Sequence, residues 1–171
     1  MGFSQGTKGA AVAQRAIHPV DAIEQFAESH GWNFERGAQD EISVSVSGSA
    51  AEYHITFSWL EEHETLHLSC RFHLNVPKAR IAELTRLLTL ANENLLFGHF
   101  DYWRQAAEIL YRQTLLLSGG LYPTDAQIKT LLMTALDACE AYYGACLNVA
   151  AADIAADEAL RHALFETMGN A

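Results

Sequence analysis

The chain has 171 residues, half of them hydrophobic and 19% charged, enough apolar content for one packed domain and too much for a disordered chain. Eleven Lys and Arg against 21 Asp and Glu give a formal net charge of −10, with no basic stripe, which argues against a nucleic-acid backbone or an anionic membrane surface as partner. Residues 1–17 are rich in Gly, Ala, Ser and Gln and are expected to form a flexible tail, without the apolar core of a secretory signal and without the Ser or Thr a myristoylation signal needs at Gly6.

A helix is expected to open at Pro19, where Val20, Ile23, Phe26 and Ala27 recur at helical spacing, and to close at Gly31. Four strands follow. The first is short, over 32–35. In the second, Ile42, Val44 and Val46 alternate with serines. In the third, Tyr53, Ile55, Phe57 and Trp59 alternate with Glu52, His54, Thr56 and Ser58. In the fourth, Leu66, Leu68, Cys70, Phe72 and Leu74 alternate with His67, Ser69, Arg71 and His73. Pairing Trp59 with Leu66 sets Phe57 opposite Leu68 and Ile55 opposite Cys70, all inward. A slip of one residue would turn every apolar side chain to water, so the register is well specified.

A second helix is expected from Pro77 to about Asn94. Ile81, Leu84, Leu88, Ala91 and Leu95 form one stripe, while Leu87 and Leu90 widen the apolar arc to about 180°, more than one packed face requires. A third hairpin joins Phe97–Trp103 to Glu108–Leu115. By parity Phe100 and Tyr102 point inward, and Phe97, His99, Asp101 and Trp103 outward, with Arg112 opposite His99. The outward aromatics invite either a partner or cover by a later helix.

Thr124 to Gln127 reads as a capping box opening a long helix with Ile128, Leu131, Leu132, Ala135, Cys139, Tyr142, Tyr143 and Cys146 on its apolar arc. A last helix runs over roughly 154–168. The order is α-β4-α-β2-α-α, an α+β class with an antiparallel sheet and segregated helices. It divides into the tail 1–17, a core 18–120 and a C-terminal helical segment 121–171 packed on that core.

The chemistry-bearing residues assemble no catalytic motif. Serines 43, 45, 47, 58 and 69 lie on wet strand faces, and no Gly-x-Ser-x-Gly elbow joins a predicted strand to a helix, nor does a phosphate-binding glycine loop precede one. His67 and His73 share a strand face but stand about 20 Å apart, with Cys70 on the other face, so no metal site is expected there. Glu52 with His73 would supply two ligands at most. Cys139 and Cys146 are about 10 Å apart on one helix, beyond disulfide reach, so the three cysteines are expected to be buried free thiols in a reducing cytoplasm. Neither a cofactor nor an enzymatic activity is expected. A pocket between sheet and C-terminal helices, lined by Tyr111, Tyr142 and Tyr143, is the alternative of a small-ligand sensor, and a metal-dependent enzyme is the weaker one.

One ordered set of segments carries a family resemblance: Val76-Pro77, a helix ending in Asn92-Glu93, Gly98-His99-Phe100, Tyr111-Arg112 and Leu117-Ser118-Gly119-Gly120. With Trp32 to Arg36 upstream, and Ala138 to Tyr143 and Glu158 to Thr167 downstream, the chain resembles the YbjN family, described as bacterial sensory transduction regulators. The resemblance implies a fold similar to type III secretion chaperones with extra C-terminal helices, and a homodimeric protein-binding module whose client stays open. The turn Trp103 to Ala107 departs from the small or acidic residues and Gly usual there. The surplus leucines lead to the same expectation of a dimer, in which Ile81, Leu84, Leu87, Leu88, Leu90, Phe97 and Trp103 meet a partner; the alternative is that the helix over 125–148, which also has a wide apolar arc, covers Leu87 and Leu90 within the chain.

Overall fold

The computed structural model describes residues 18–169. The expected tail at 1–17 lies outside them. Helix α1 (Pro19–Ser29) starts where His18 caps it, its Nδ1 accepting from the Val20 amide at 3.3 Å, with Pro19 at the first helical position. The strands are β1 (Phe34–Ala38), β2 (Glu41–Ser47), β3 (Glu52–Leu60), β4 (Thr65–Phe72), β5 (His99–Trp103) and β6 (Glu108–Leu116). Helix α2 (Ile81–Asn92) separates β4 from β5, and α3 (Asp125–Ala151) and α4 (Ala156–Gly169) end the described chain.

The six strands form one antiparallel sheet in the order β1-β2-β3-β4-β6-β5. Trp59 pairs with Leu66, Phe57 with Leu68 and Ile55 with Cys70, the register the double alternation requires. After α2 the chain returns as the β5–β6 hairpin, with β6 beside β4 and β5 on the edge.

The helices pack on one face of this sheet. Helix α1 covers β2 and β3, α3 crosses β4 and β6, and α2 lies against β5, α3 and α4. Tyr53, Ile55, Phe57, Leu66, Leu68, Cys70, Phe72, Ile109 and Tyr111 are all buried beneath them. The capping box is formed: Gln127 N donates to Thr124 Oγ1 at 3.2 Å, and Thr124 N donates to Gln127 Oε1 at 2.9 Å. Cys70, Cys139 and Cys146 are buried and free, and Cys139 Sγ comes within 3.5 Å of Cys70 Sγ, a juxtaposition that spacing along α3 does not reveal.

Two expectations about α2 are corrected. It begins at Ile81, after a single 3-10 turn over Lys78–Arg80, and ends at Asn92. Its broad arc is closed within the chain: Leu84 and Leu87 are fully buried, Leu88 nearly so, and Leu90 and Ile81 are half-buried. The reason is α4, which folds back onto α2 through small residues, Ala156, Ala159 and Ala163, all buried. Specific polar contacts fix the return. Arg80 donates through Nε to Val149 O (2.8 Å) and through a terminal nitrogen to Ile154 O (2.6 Å), and pairs with Asp153 at 2.7 Å. Glu83 accepts from the Ala156 amide at 2.7 Å, satisfying a free N–H at the start of α4. The exposure of α2 leucines therefore supplies no argument for a second chain.

Candidate functional site

The opposite face of the sheet carries no helix among the described residues. Its side chains are those the strand alternation sends outward: Ser43 and Ser45 from β2, His54, Thr56 and Ser58 from β3, His67, Ser69 and Arg71 from β4, Leu110, Arg112 and Thr114 from β6, and His99, Asp101 and Trp103 from β5. Cross-strand polar pairs tie its β2–β3 half, with Ser43 Oγ 3.0 Å from Thr56 Oγ1 and Ser45 Oγ 3.1 Å from His54 Nδ1.

At the β4–β6–β5 end this face holds a hollow of about 440 Å³, lined by His67, Leu96, Phe97, Gly98, His99, Arg112, Gln113 and Thr114. His67 lies across from Thr114 and His99 across from Arg112, so two imidazoles flank one guanidinium. Arg112 Nε donates to His67 Nε2 at 3.3 Å. Its Nη1 is 3.6 Å from an Asp101 carboxylate oxygen, an ion pair too long for a hydrogen bond. Burial, then the neighbouring Arg112 charge and His99, lower the His67 pKa below its ordinary value. The neutral ring that results is the form able to accept from Arg112, which puts its proton on Nδ1.

The wall of the hollow is set by contacts behind it. Gly98 has φ +64°, and a Cβ there would lie 2.3 Å from the Tyr111 hydroxyl and 2.7 Å from the Arg112 carbonyl, so only glycine fits. The Tyr111 hydroxyl donates to the Phe97 carbonyl at 2.8 Å and thereby holds the 96–98 segment over the sheet end. Asn92 secures Phe100 next to it through both backbone groups. Three of the segments that carry the family resemblance, Asn92, Gly98-His99-Phe100 and Tyr111-Arg112, thus meet at one corner of the molecule.

Phe97 and Trp103 are 53% and 51% exposed, so neither is covered by a C-terminal helix. Phe97 stands in the loop ahead of β5 and borders the hollow, while Trp103 ends β5 at the turn to β6. The α2 residues Ile81, Leu84, Leu87, Leu88 and Leu90 lie on the helical side of the sheet, apart from this face. The tyrosine pocket is also corrected. Tyr111 is fully buried, and the Phe100 ring packs edge-on against both Tyr111 and Tyr142, at 5.5 and 5.6 Å between ring centres. Tyr143 instead meets Phe72 at 5.3 Å. Phe100 fills the space the pocket would need. Tyr142 borders a separate groove of about 440 Å³ on the helical side, together with Leu95, Phe97, Asp137 and Leu164. Among the described residues no three His, Cys, Asp or Glu side chains gather as metal ligands.

Sequence parity pairs His99 with Arg112 but does not bring in His67. That side chain joins them because β6 lies beside β4, a choice of sheet order that strand alternation alone leaves open. No helix of the described residues is long and apolar enough to cross a membrane.

The family model described as "Putative bacterial sensory transduction regulator" (YbjN) matches residues 19–148. A search of the curated proteins found no match. Among solved structures, the crystal structure of YbjN from E. coli, titled "a putative transcription regulator", superposes with a TM-score of 0.53 at 14% sequence identity, over 71% of this chain and 86% of that one. At that identity the likeness concerns the fold.

Proposed function

The chain belongs to the YbjN family, and from that premise we propose that it is a non-enzymatic regulator that works by binding another protein on the open face of its sheet. The observation that carries the reading is the pair Phe97 and Trp103, each about half exposed at the border of a sheet face that no helix of the described residues covers. Aromatic side chains at the rim of such a face bring large apolar area with little rotamer entropy to lose, the profile of binding anchors. The Ser, Thr and His side chains in the β2–β4 rows of the same face offer further hydrogen bonds. A chaperone-like mode, in which an extended or amphipathic segment of a client lies along this face, suits its shape. So does a cytoplasmic setting, where three free thiols persist.

The test compares wild-type protein with the double variant Phe97→Ser, Trp103→Ser as bait in a lysate of the source cells. Proteins retained by the wild type and lost by a folded double variant support the reading. Equal retention by both, or no stoichiometric partner for the wild type, overturns it.

A further inference from the structure

The hollow at the β4–β6–β5 end differs from the rest of this acidic molecule. Its lining residues include one arginine and two histidines and no aspartate or glutamate, in a chain with 21 acidic against 11 basic side chains. The groove on the helical side, of equal volume, has Asp137 in its wall and no cation. We infer that the hollow is a binding site for a small molecule carrying one anionic group, a carboxylate or a phosphate, on a flat apolar body.

The argument starts from Arg112. Its Nε is committed to His67, which fixes the plane of the guanidinium. Asp101 approaches from the side at 3.6 Å without making a hydrogen bond, so terminal N–H donors stay available for a stronger acceptor. His99 stands across the strand pair from Arg112 and provides a second donor to the same anion. Against this polar floor stand Leu96 and Phe97, 86% and 53% exposed, which offer an apolar wall to the body of the ligand. The volume of about 440 Å³ lies in the range of small-molecule sites. The wall is built in advance, since Gly98 and Tyr111 hold it from behind. An anion beside Arg112 also removes part of the repulsion that keeps His67 neutral, so binding raises the His67 pKa and strengthens toward mildly acidic pH. The groups that face His67 are Arg112 and Thr114 on β6, His99 on β5 and Ser58 on β3, with Glu41 of β2 behind Ser58 at 3.5 Å.

The site shares Phe97 with the proposed protein-binding face and is tested on the chain alone, so its outcome does not depend on finding a partner. The histidine ring resonances of the full chain are followed by NMR at constant ionic strength, during separate titrations with inorganic phosphate, phenyl phosphate and benzoate. The expected result is a saturable shift of the His67 and His99 signals with phenyl phosphate or benzoate, and an upward move of the His67 titration midpoint. Saturation by benzoate alone assigns a carboxylate, and by phenyl phosphate alone a phosphate. Arg112→Gln, with its fold checked by circular dichroism, weakens binding about tenfold or more. Arg112→Lys, which keeps the charge and loses the fork, falls between. No saturable shift in the wild type overturns the proposal, as does an Arg112→Gln variant of unchanged affinity. Inorganic phosphate binding as tightly as phenyl phosphate overturns it as well, because the apolar wall would then contribute nothing.

Discussion

The side-chain amide of Asn92, at the end of α2, holds both backbone groups of Phe100: the Phe100 amide donates to Oδ1 at 2.7 Å, and Nδ2 donates to the Phe100 carbonyl at 3.0 Å. Strand β5 is an edge, so at Phe100 the amide occupies the place of a further strand. Exposed edges template unwanted pairing, and covering one is a common remedy. Asn92→Ala leaves both groups without their partner. It is expected to lower stability by about 1–3 kcal/mol, read as a shifted urea midpoint, and to produce concentration-dependent association by light scattering. Asn92→Asp keeps the acceptor for the Phe100 amide but sets a second oxygen against the Phe100 carbonyl, so it should destabilise as well. An Asn92→Ala variant as stable and as monodisperse as the wild type would refute the role.

Two turn positions in the third hairpin region predict changes of opposite sign. Gly98→Ala drives a methyl into the Tyr111 ring at a positive φ, and is expected to destabilise by about 1–3 kcal/mol and to disturb the Phe97 wall. Ala107 holds φ +54°, a left-handed conformation costly for any residue with a Cβ. Ala107→Gly should therefore stabilise, by about 0.5–1 kcal/mol. Thermal melts of the two variants beside the wild type check both signs. A lowered melting temperature for Ala107→Gly would mean that the turn relaxes in solution.

His67 predicts a pH dependence. Its pKa is lowered in the fold by burial and by Arg112 and His99, so the unfolded chain binds a proton that the folded chain refuses. The stability this represents is fully present above the unfolded value of about 6.5 and is lost as pH falls through the lowered folded value. In His67→Gln that loss is absent. Urea midpoints across this range should fall more steeply for the wild type than for the variant. Parallel curves would show that His67 titrates alike in both states.

The fold was legible wherever one side chain alternation constrained another. Trp59 against Leu66 and Ile55 against Cys70 follow from two adjacent hairpins whose inward rows must coincide. The Thr124 cap is legible because its partners are three residues apart. Asn92 and Arg80 are not, since a side chain bonding to a distant backbone group leaves no period in the sequence. The hollow was half legible: parity sets His99 opposite Arg112, but His67 joins only when β6 is placed beside β4.

The thiols give a prediction of their own. Cys70, Cys139 and Cys146 are buried. Burial pushes the Cys146 thiol up to about 12, and contact with Cys70 raises Cys139 along with burial. Since the thiolate is the reacting form, native protein should label slowly with a thiol reagent at neutral pH. Three free thiols should appear after denaturation without reductant. Fewer than three would reveal a cross-link between Cys70 and Cys139, the pair whose sulfurs are 3.5 Å apart.

Leu87 decides what the breadth of the α2 arc means. The arc was legible in the sequence, and a second chain was one of two ways to cover it. In the fold Leu87 has no exposed surface, and α4 lies on α2 with Arg80 and Glu83 tying its entry to the end of α3. If a partner chain were the cover, Leu87→Glu would leave a folded monomer. With the cover inside the chain, the same change buries an unpaired carboxylate among apolar side chains, so the expected outcome is loss of cooperative unfolding. Leu87→Ala separates folding from assembly, because it introduces no charge and should cost about 2–5 kcal/mol through the cavity it leaves. Its sedimentation mass should equal that of the wild type, whatever that mass is, since α2 contributes no exposed leucine stripe to an interface. A folded Leu87→Glu protein of lower mass than the wild type would return the interface to α2 and remove α4 from its place against it.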